Sequence, residues 1–308
     1  MDYDTLIDAQ TWKFIRRTQE IYPDDSTSRT LTEERAAYDA MSAAFRAPRP
    51  DLVEVQDISA NGVPVRIYTA GEPTRTVMYF HGGGFVVGGL DSHDDVCAEI
   101  CAQTGYRVIS VDYRLAPEHK HPAAFDDAYA ASCWAEAEFS DPIVLAGDSA
   151  GGNLAAAVAG YARGRLANVL GQVLIYPGLG GDVDTGSYIT HAEAPMLQRS
   201  YVIQYAGIRA ADGKAPMGDP TYAPLHDSDF SGLPRSIVFS AECDPLCDDG
   251  RDYCERVRAA GGEAHWIREA GLVHGYLRAR NTVDRARDSF ERIVLAIEAL
   301  GQDIWPYD

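Results

Sequence analysis

Short runs of β-branched and aliphatic residues recur along the chain, and most of the segments between them carry a helical period. The runs at 53–58 and 63–68 flank Ser59-Ala60-Asn61-Gly62, whose Asn-Gly pair is a strong hairpin signal, so two antiparallel strands are expected to open a sheet. Six further runs follow, at 77–80, 108–111, 143–146, 173–175, 236–240 and 265–267. They alternate with helical segments at about 94–103, 123–138, 150–163 and 248–260, and a closing helix at about 283–300. Alternation of this kind predicts parallel strands joined by helical crossovers, hence an α/β fold with a mostly parallel eight-stranded sheet flanked by helices.

Two stretches depart from the alternation. Residues 1–50 carry helix-like segments at 5–21 and 31–46, separated by Tyr22-Pro23-Asp24-Asp25-Ser26, with Thr32-Glu33-Glu34-Arg35 as a plausible start of the second. Trp12, Phe14, Tyr22, Tyr38 and Phe45 need burial, so the segment is expected to pack on the main body, either as part of a lid or as a plain helical layer. Residues 178–233 are rich in Gly, Pro, Asp and Thr, with one helical pattern at 196–206, and are too long for a simple connection. Placed between the sixth and seventh strands, they would lie above the carboxyl ends of the sheet and complete a cap with the N-terminal helices. The expected organisation is a core of 51–177 and 234–308 with cap segments at 1–50 and 178–233, all in one catalytic unit.

Composition narrows the function classes. In 308 residues, 46% are hydrophobic, enough for a sizeable core, and the formal charge is −19. That charge argues against nucleic acid or an anionic membrane as partner and favours neutral or cationic small molecules. Six cysteines do not make a disulfide scaffold in a chain this long. Cys97 and Cys101 fall in a helical pattern as small buried hydrophobes, and zinc is disfavoured there. Met1-Asp2-Tyr3-Asp4 has no apolar signal region and no run reaches membrane-spanning length, so the expected setting is cytoplasmic.

The chemistry centres on Gly147-Asp148-Ser149-Ala150-Gly151-Gly152, between an apolar run and a small-residue helix. Gly-x-Ser-x-Gly at a strand-to-helix turn is a nucleophile elbow, in which a strained backbone exposes the serine hydroxyl and small neighbours are required. A serine needs a histidine to take its proton and a carboxylate to orient that histidine, in the chain order Ser, acid, His. Of His191, His226, His265 and His274, the first two lie in the insertion and the third opens a strand, leaving His274 in the loop beyond the last strand. Asp244 follows the run 236–240 at another strand end. Its rivals Asp248 and Asp249 read as the first turn of the next helix, where negative charge complements the dipole. His81-Gly82-Gly83-Gly84-Phe85 follows the run 77–80, and its glycines let amides approach a developing oxyanion. Gly83, Gly84 and Ala150 are the expected donors, with Gly82 next. His81 reads as a brace, and Arg114 and Glu118 as residues that pin the loop. His119 and His121 form only a fragment of a metal site, so no metal is expected.

These motifs, with Asp112-Tyr113-Arg114-Leu115-Ala116-Pro117-Glu118, Asp244-Pro245-Leu246 and His274-Gly275, span most of residues 77–276. Together they resemble the hormone-sensitive-lipase-like esterases of the α/β-hydrolase fold. The resemblance implies carboxylic ester hydrolysis without a cofactor, a helical cap, a preference for short or medium acyl chains, nucleophile Ser149, acid Asp244, base His274 and oxyanion donors Gly83, Gly84 and Ala150. It also admits a homodimer. Tyr276, and Cys243 and Cys247 on either side of the acid, depart from the family pattern. The same machinery suits a lactone, an amide or a formamide, and a non-catalytic small-molecule-binding protein on this fold is the reading from another class. Phe85, Val86 and Val87 are expected pocket walls beside the oxyanion loop. Tyr188, Met196, Leu197, Tyr201 and Tyr205 either line the pocket or pack the cap on the core.

Overall fold

A computed structural model describes residues 1–23 and 29–307, so the turn expected at 22–26 falls largely outside the described residues. Eight strands form one sheet in the order β1-β2-β4-β3-β5-β6-β7-β8. β1 (Glu54–Ala60) and β2 (Val63–Thr69) are the expected hairpin, with Asn61 and Gly62 both at positive φ. β2 pairs antiparallel with β4 (Arg107–Val111), and from there the sheet is parallel through β3 (Thr76–Phe80), β5 (Ile143–Asp148), β6 (Val169–Ile175), β7 (Arg235–Cys243) and β8 (Ala264–Val273).

Inner strands are apolar on both faces because helices cover both. In β3, Val77 and Tyr79 point into one core while Met78 and Phe80 point into the other. The first core is closed by α4 (Asp94–Thr104) and α10 (Asp284–Gly301), the second by α5 (Ala123–Phe139), α6 (Ala150–Ala162) and α9 (Cys247–Ala259). From β3 the chain crosses to β4 on one side and then returns to β5 on the other. The carboxyl ends of β3 and β5 are therefore neighbours at a topological switch point, where open α/β sheets place their sites.

The N-terminal pattern resolves into α1 (Tyr3–Leu6), α2 (Ala9–Ile21) and α3 (Leu31–Phe45). The expected first helix is split because the Asp8 side chain accepts the Thr11 amide and starts α2 afresh. α3 begins one residue before the expected signal, on a capping box between Thr30 and Glu33. In the stretch between β6 and β7, α8 (Arg199–Arg209) begins three residues after the expected start, and a short α7 (Gly186–Thr190) had no visible periodicity. α8 meets the N-terminal helices directly: Tyr205 and Ile208 pack with Ile21, Tyr22 and Tyr38 around Val86 and Val87. Among the described residues no helix is long and apolar enough to cross a membrane.

Candidate active site

Ser149 joins β5 to α6 with φ 55° and ψ −115°, a backbone region that non-glycine residues rarely occupy and that surrounding bonds must hold. Its amide donates to Ile175 O of β6 (2.9 Å), and its carbonyl accepts the Asn153 amide (3.1 Å). A methyl at Gly147 would lie 2.7 Å from Phe80 O, and one at Gly151 2.7 Å from His81 O and closer still to the Phe80 carbonyl. The elbow thus packs against the very backbone that leads from β3 into the glycine loop.

His274 follows β8 and reaches both expected partners. Its Nε2 is 2.9 Å from Ser149 Oγ and its Nδ1 2.7 Å from Asp244 Oδ2. Asp244 is completely buried, and its other oxygen accepts the Leu246 amide (2.9 Å), so its direction is fixed. A carboxylate can only accept, which puts the imidazole proton on Nδ1 and leaves the Nε2 lone pair facing the serine hydroxyl. The ring also lies against Tyr176, 4.8 Å between centroids. The other downstream histidines are engaged elsewhere: His191 Nδ1 meets Tyr3 Oη, His226 Nε2 meets Gly180 O, and His265 stacks on Tyr307.

Asp248 and Asp249 do open α9, but they turn to the segment between β6 and β7 as well as to the dipole. Asp248 accepts the Ser187 amide (2.9 Å). Asp249 accepts the amides of Leu179 (2.6 Å) and Gly181 (3.3 Å) and the hydroxyl of Tyr188 (3.2 Å). Burial outweighs these three donors and pushes its pKa up to about 7. Cys243 and Cys247 are free, buried thiols whose pKa burial raises, Cys243 to about 12, so neither offers a thiolate beside the acid.

In the glycine loop Gly83 and Gly84 have φ 126° and 60°, and Gly83 O accepts the amides of Val86 and Val87 (3.0 Å each). Ala150 is the first residue of α6, where amides have no partner within the helix. Gly82 is not free to serve as the fallback donor, because its amide donates to Asp148 Oδ1 (3.0 Å). His81 is a brace: it stacks on Tyr113 (4.3 Å), and burial, then the neighbouring His93, lowers its pKa to about 4, so it is neutral. Arg114 and Glu118 pin the loop through separate partners. Arg114 forks onto Asp127 (2.8 Å to each oxygen), while Glu118 pairs with Arg35 of α3, whose Nε donates to Val86 O (2.9 Å). His121 pairs with Asp219 Oδ2 (3.0 Å).

The expected pocket residues divide. Phe85 lies beneath the Arg209 guanidinium, 3.6 Å from its ring centroid, and Val86 and Val87 are buried with Tyr38 and Met41. Tyr188 is buried on Asp249, Met196 rests on the α10-side core, and Leu197 and Tyr201 are half-buried. Tyr205 lies against the glycine loop: a methyl at Gly84 would lie 2.9 Å from its ring. Sequence reasoning missed the carboxylate of Asp148 and its partner His93. An acid ending a wholly apolar strand was the available signal for the first; nothing local marked the second.

A profile of the alpha/beta hydrolase fold matches residues 77–278. Carboxylesterase NlhH of Mycobacterium tuberculosis is 38% identical over 269 residues, covering 81% of this chain and 83% of that one. Ethyl acetate hydrolase of Pseudomonas putida is 32% identical over 290 residues, with 88% and 90% covered. A crystal structure of an esterase from the bacterial hormone-sensitive lipase family superposes with a TM-score of 0.87 at 27% identity, covering 95% of this chain and 98% of that one. The chain belongs to the alpha/beta hydrolase family, on its hormone-sensitive-lipase-like carboxylesterase branch.

Proposed function

We propose that this carboxylesterase hydrolyses short to medium acyl esters through an acyl-enzyme built on Ser149. The observation that carries the reading is the hydrogen-bonded chain from Ser149 Oγ through His274 to Asp244, at 2.9 and 2.7 Å. In the forward step His274 Nε2 takes the hydroxyl proton as Oγ bonds to the ester carbonyl carbon. Asp244 stabilises the imidazolium that results and keeps its tautomer. The amides of Gly83, Gly84 and Ala150 receive the oxyanion, and the imidazolium returns its proton to the departing alkoxide. Water, deprotonated by the same Nε2, then attacks the acyl carbon, the bond to Oγ breaks as the imidazolium returns that proton to Oγ, and the carboxylic acid leaves with Ser149 restored. Every proton is handled by His274, so the cycle calls for no cofactor.

The segments 1–50 and 178–233 together frame the site, a reading supported by the packing of α8 on α2 and α3 and by the contact of Tyr3 with His191 (3.2 Å). A roof of this kind favours modest acyl groups over emulsified triglycerides. Turnover of 4-nitrophenyl acetate and butyrate by Ser149→Ala tests the assignment: loss of essentially all activity is expected, and undiminished turnover refutes it. A series of acyl chains from acetyl to palmitoyl tests the size limit, with efficiency expected to fall beyond about octanoyl.

A further inference from the structure

Asp148 is buried, precedes Ser149, and is bonded from four directions. Oδ1 accepts the Tyr79 hydroxyl (2.9 Å) and the Gly82 amide (3.0 Å), and Oδ2 accepts the Tyr176 hydroxyl (3.3 Å). His93 Nε2 sits astride the carboxylate, 3.2 Å from Oδ1 and 3.3 Å from Oδ2. Burial alone would favour the neutral acid, yet His93, the Tyr79 hydroxyl and the charge of Arg278 keep its pKa below the ordinary carboxylate range.

The connectivity of this carboxylate is what gives it a role. Through its own chain it is the neighbour of the nucleophile, and through Gly82 it holds the residue before the first oxyanion donor. One rigid group therefore sets the spacing between Ser149 and the amides of Gly83 and Gly84. Backbone close to Gly82 leaves no slack, since a methyl there would strike Asp148 itself. The Tyr79 and Tyr176 hydroxyls are neutral, so among the described residues the imidazole is the one cation-forming group in hydrogen-bond contact with the carboxylate. His93 is in turn fixed by Ser92 Oγ, 2.8 Å from its Nδ1, and Ser92 Oγ is tied to both the amide (3.0 Å) and the carbonyl (2.9 Å) of Gly89. Gly89 ends the same loop that begins at His81. The loop is thus closed on itself at both ends, once through Gly82 and once through Gly89, and both closures meet at Asp148.

We infer that His93 is a positioning residue for ester hydrolysis, holding the Asp148 carboxylate so that the oxyanion donors and the Ser149 hydroxyl keep their working distance. It touches no reacting atom. Its effect falls on the transition state, because only there must Oγ and the donors engage one carbon centre at once. The inference rests on the triad reading, and the two fail separately: turnover by Ser149→Ala would sink the triad whatever His93 does.

The test compares His93→Leu, which removes the donor to Asp148, with His93→Gln, which keeps an N–H near the same place, and with the milder Ser92→Ala, which only frees the ring. Kinetics on 4-nitrophenyl butyrate are run well below each variant's melting temperature. A misplacement of about 1 Å costs on the order of 10²-fold in rate. His93→Leu is therefore expected to lose about 10²-fold in kcat with KM within twofold, His93→Gln to recover most of it, and Ser92→Ala to lose roughly threefold to tenfold. Affinity for phenylboronic acid, which needs Oγ and the donors aligned on one tetrahedral centre, should fall in step with kcat. Lower melting temperatures with kcat and boronate affinity unchanged would make His93 a stabilising residue only and overturn the inference. If His93→Leu does not fold, His93→Gln and Ser92→Ala decide it by the same two measurements.

Discussion

Replacing Gly151 by Ala tests how tightly the elbow and the glycine loop are locked together. The new Cβ would stand 2.7 Å from His81 O and nearer to the Phe80 carbonyl, where ordinary contact begins at 3.4 Å. The backbone must open by at least the difference, 3.4 − 2.7 = 0.7 Å, and by more at Phe80. Neither contact is with a flexible side chain that could swing away: Phe80 is in hydrogen-bonded register with Val111 on one side and Gly147 on the other. Overpacking of this size costs about 1–3 kcal/mol in stability, which for a domain this large lowers the melting temperature by a few degrees and leaves it folded at 25 °C. The catalytic cost is larger, because the displaced atoms carry Gly83 and Gly84 away from Ser149. A shift of about 1 Å or more is expected to reduce kcat by at least about 10²-fold with little change in KM. Steady-state rates on 4-nitrophenyl butyrate at 25 °C, with thermal melts of the same samples, give both numbers. A Gly151→Ala enzyme with kcat within threefold of the parent would refute the claim that these two segments are locked.

Ser149→Gly and Ser149→Ala both lack the hydroxyl, but only glycine relieves the backbone at φ 55°. Relief of about 1–3 kcal/mol, less roughly 0.5–1 kcal/mol for glycine's extra unfolded freedom, should make the glycine variant melt higher than the alanine variant; equal melting curves would contradict the strain. Asp249 has a raised folded-state pKa of about 7, so its contribution to stability is present at low pH and is lost as pH rises from the ordinary carboxylate range through about 7. The melting-temperature advantage of Asp249→Asn over the parent should accordingly be larger at pH 8 than at pH 5, and the opposite ordering would refute the reading. Tyr205→Ala should raise the relative rate on octanoyl over acetyl esters by opening the wall above Gly84, while Tyr205→Phe should not; an unchanged ratio in the alanine variant removes Tyr205 from the pocket. Asp244→Asn should lower kcat by about 10³–10⁴-fold through loss of the His274 tautomer, measured on the same acetate ester.

Much of this was legible in the chain because the signals were local. The runs at 77–80 and 143–146 are short and apolar, the first leading through His81 into three glycines and the second directly into Gly147, and each proved to be most of a strand buried on both faces. Their ends were less clear: β7 and β8 extend to Cys243 and Val273 past polar residues such as Glu242 and Glu269, which bond outside the strand pattern to Gly271 and Ser289. The order Ser149, Asp244, His274 was readable for the same local reason, each residue lying at a strand end. Long-range pairings were not readable. The partner of Arg114 is Asp127 rather than any residue of its own motif, and Glu118 waits for Arg35, 83 positions away. Asp148 occupies a variable position of Gly-x-Ser-x-Gly, and its contacts are visible only once the ends of β3 and β5 and the residue before α4 bring Gly82 and His93 to it. Tyr276 is held by a nearer partner, since its hydroxyl meets Ser289 Oγ of α10, 13 positions on, at 2.8 Å.

The central claim is that a single hydroxyl, Ser149 Oγ, becomes acylated during turnover. Rapid mixing with 4-nitrophenyl butyrate, quenching in acid and peptide mapping by mass spectrometry measure it directly. Nitrophenolate leaves readily, which makes deacylation the slower step, so a burst of one nitrophenol per enzyme and a butyryl group on the peptide containing Ser149 are expected, both absent from Ser149→Ala. Full hydrolytic activity with no acyl group on that peptide, or with the acyl group on another residue, would contradict it.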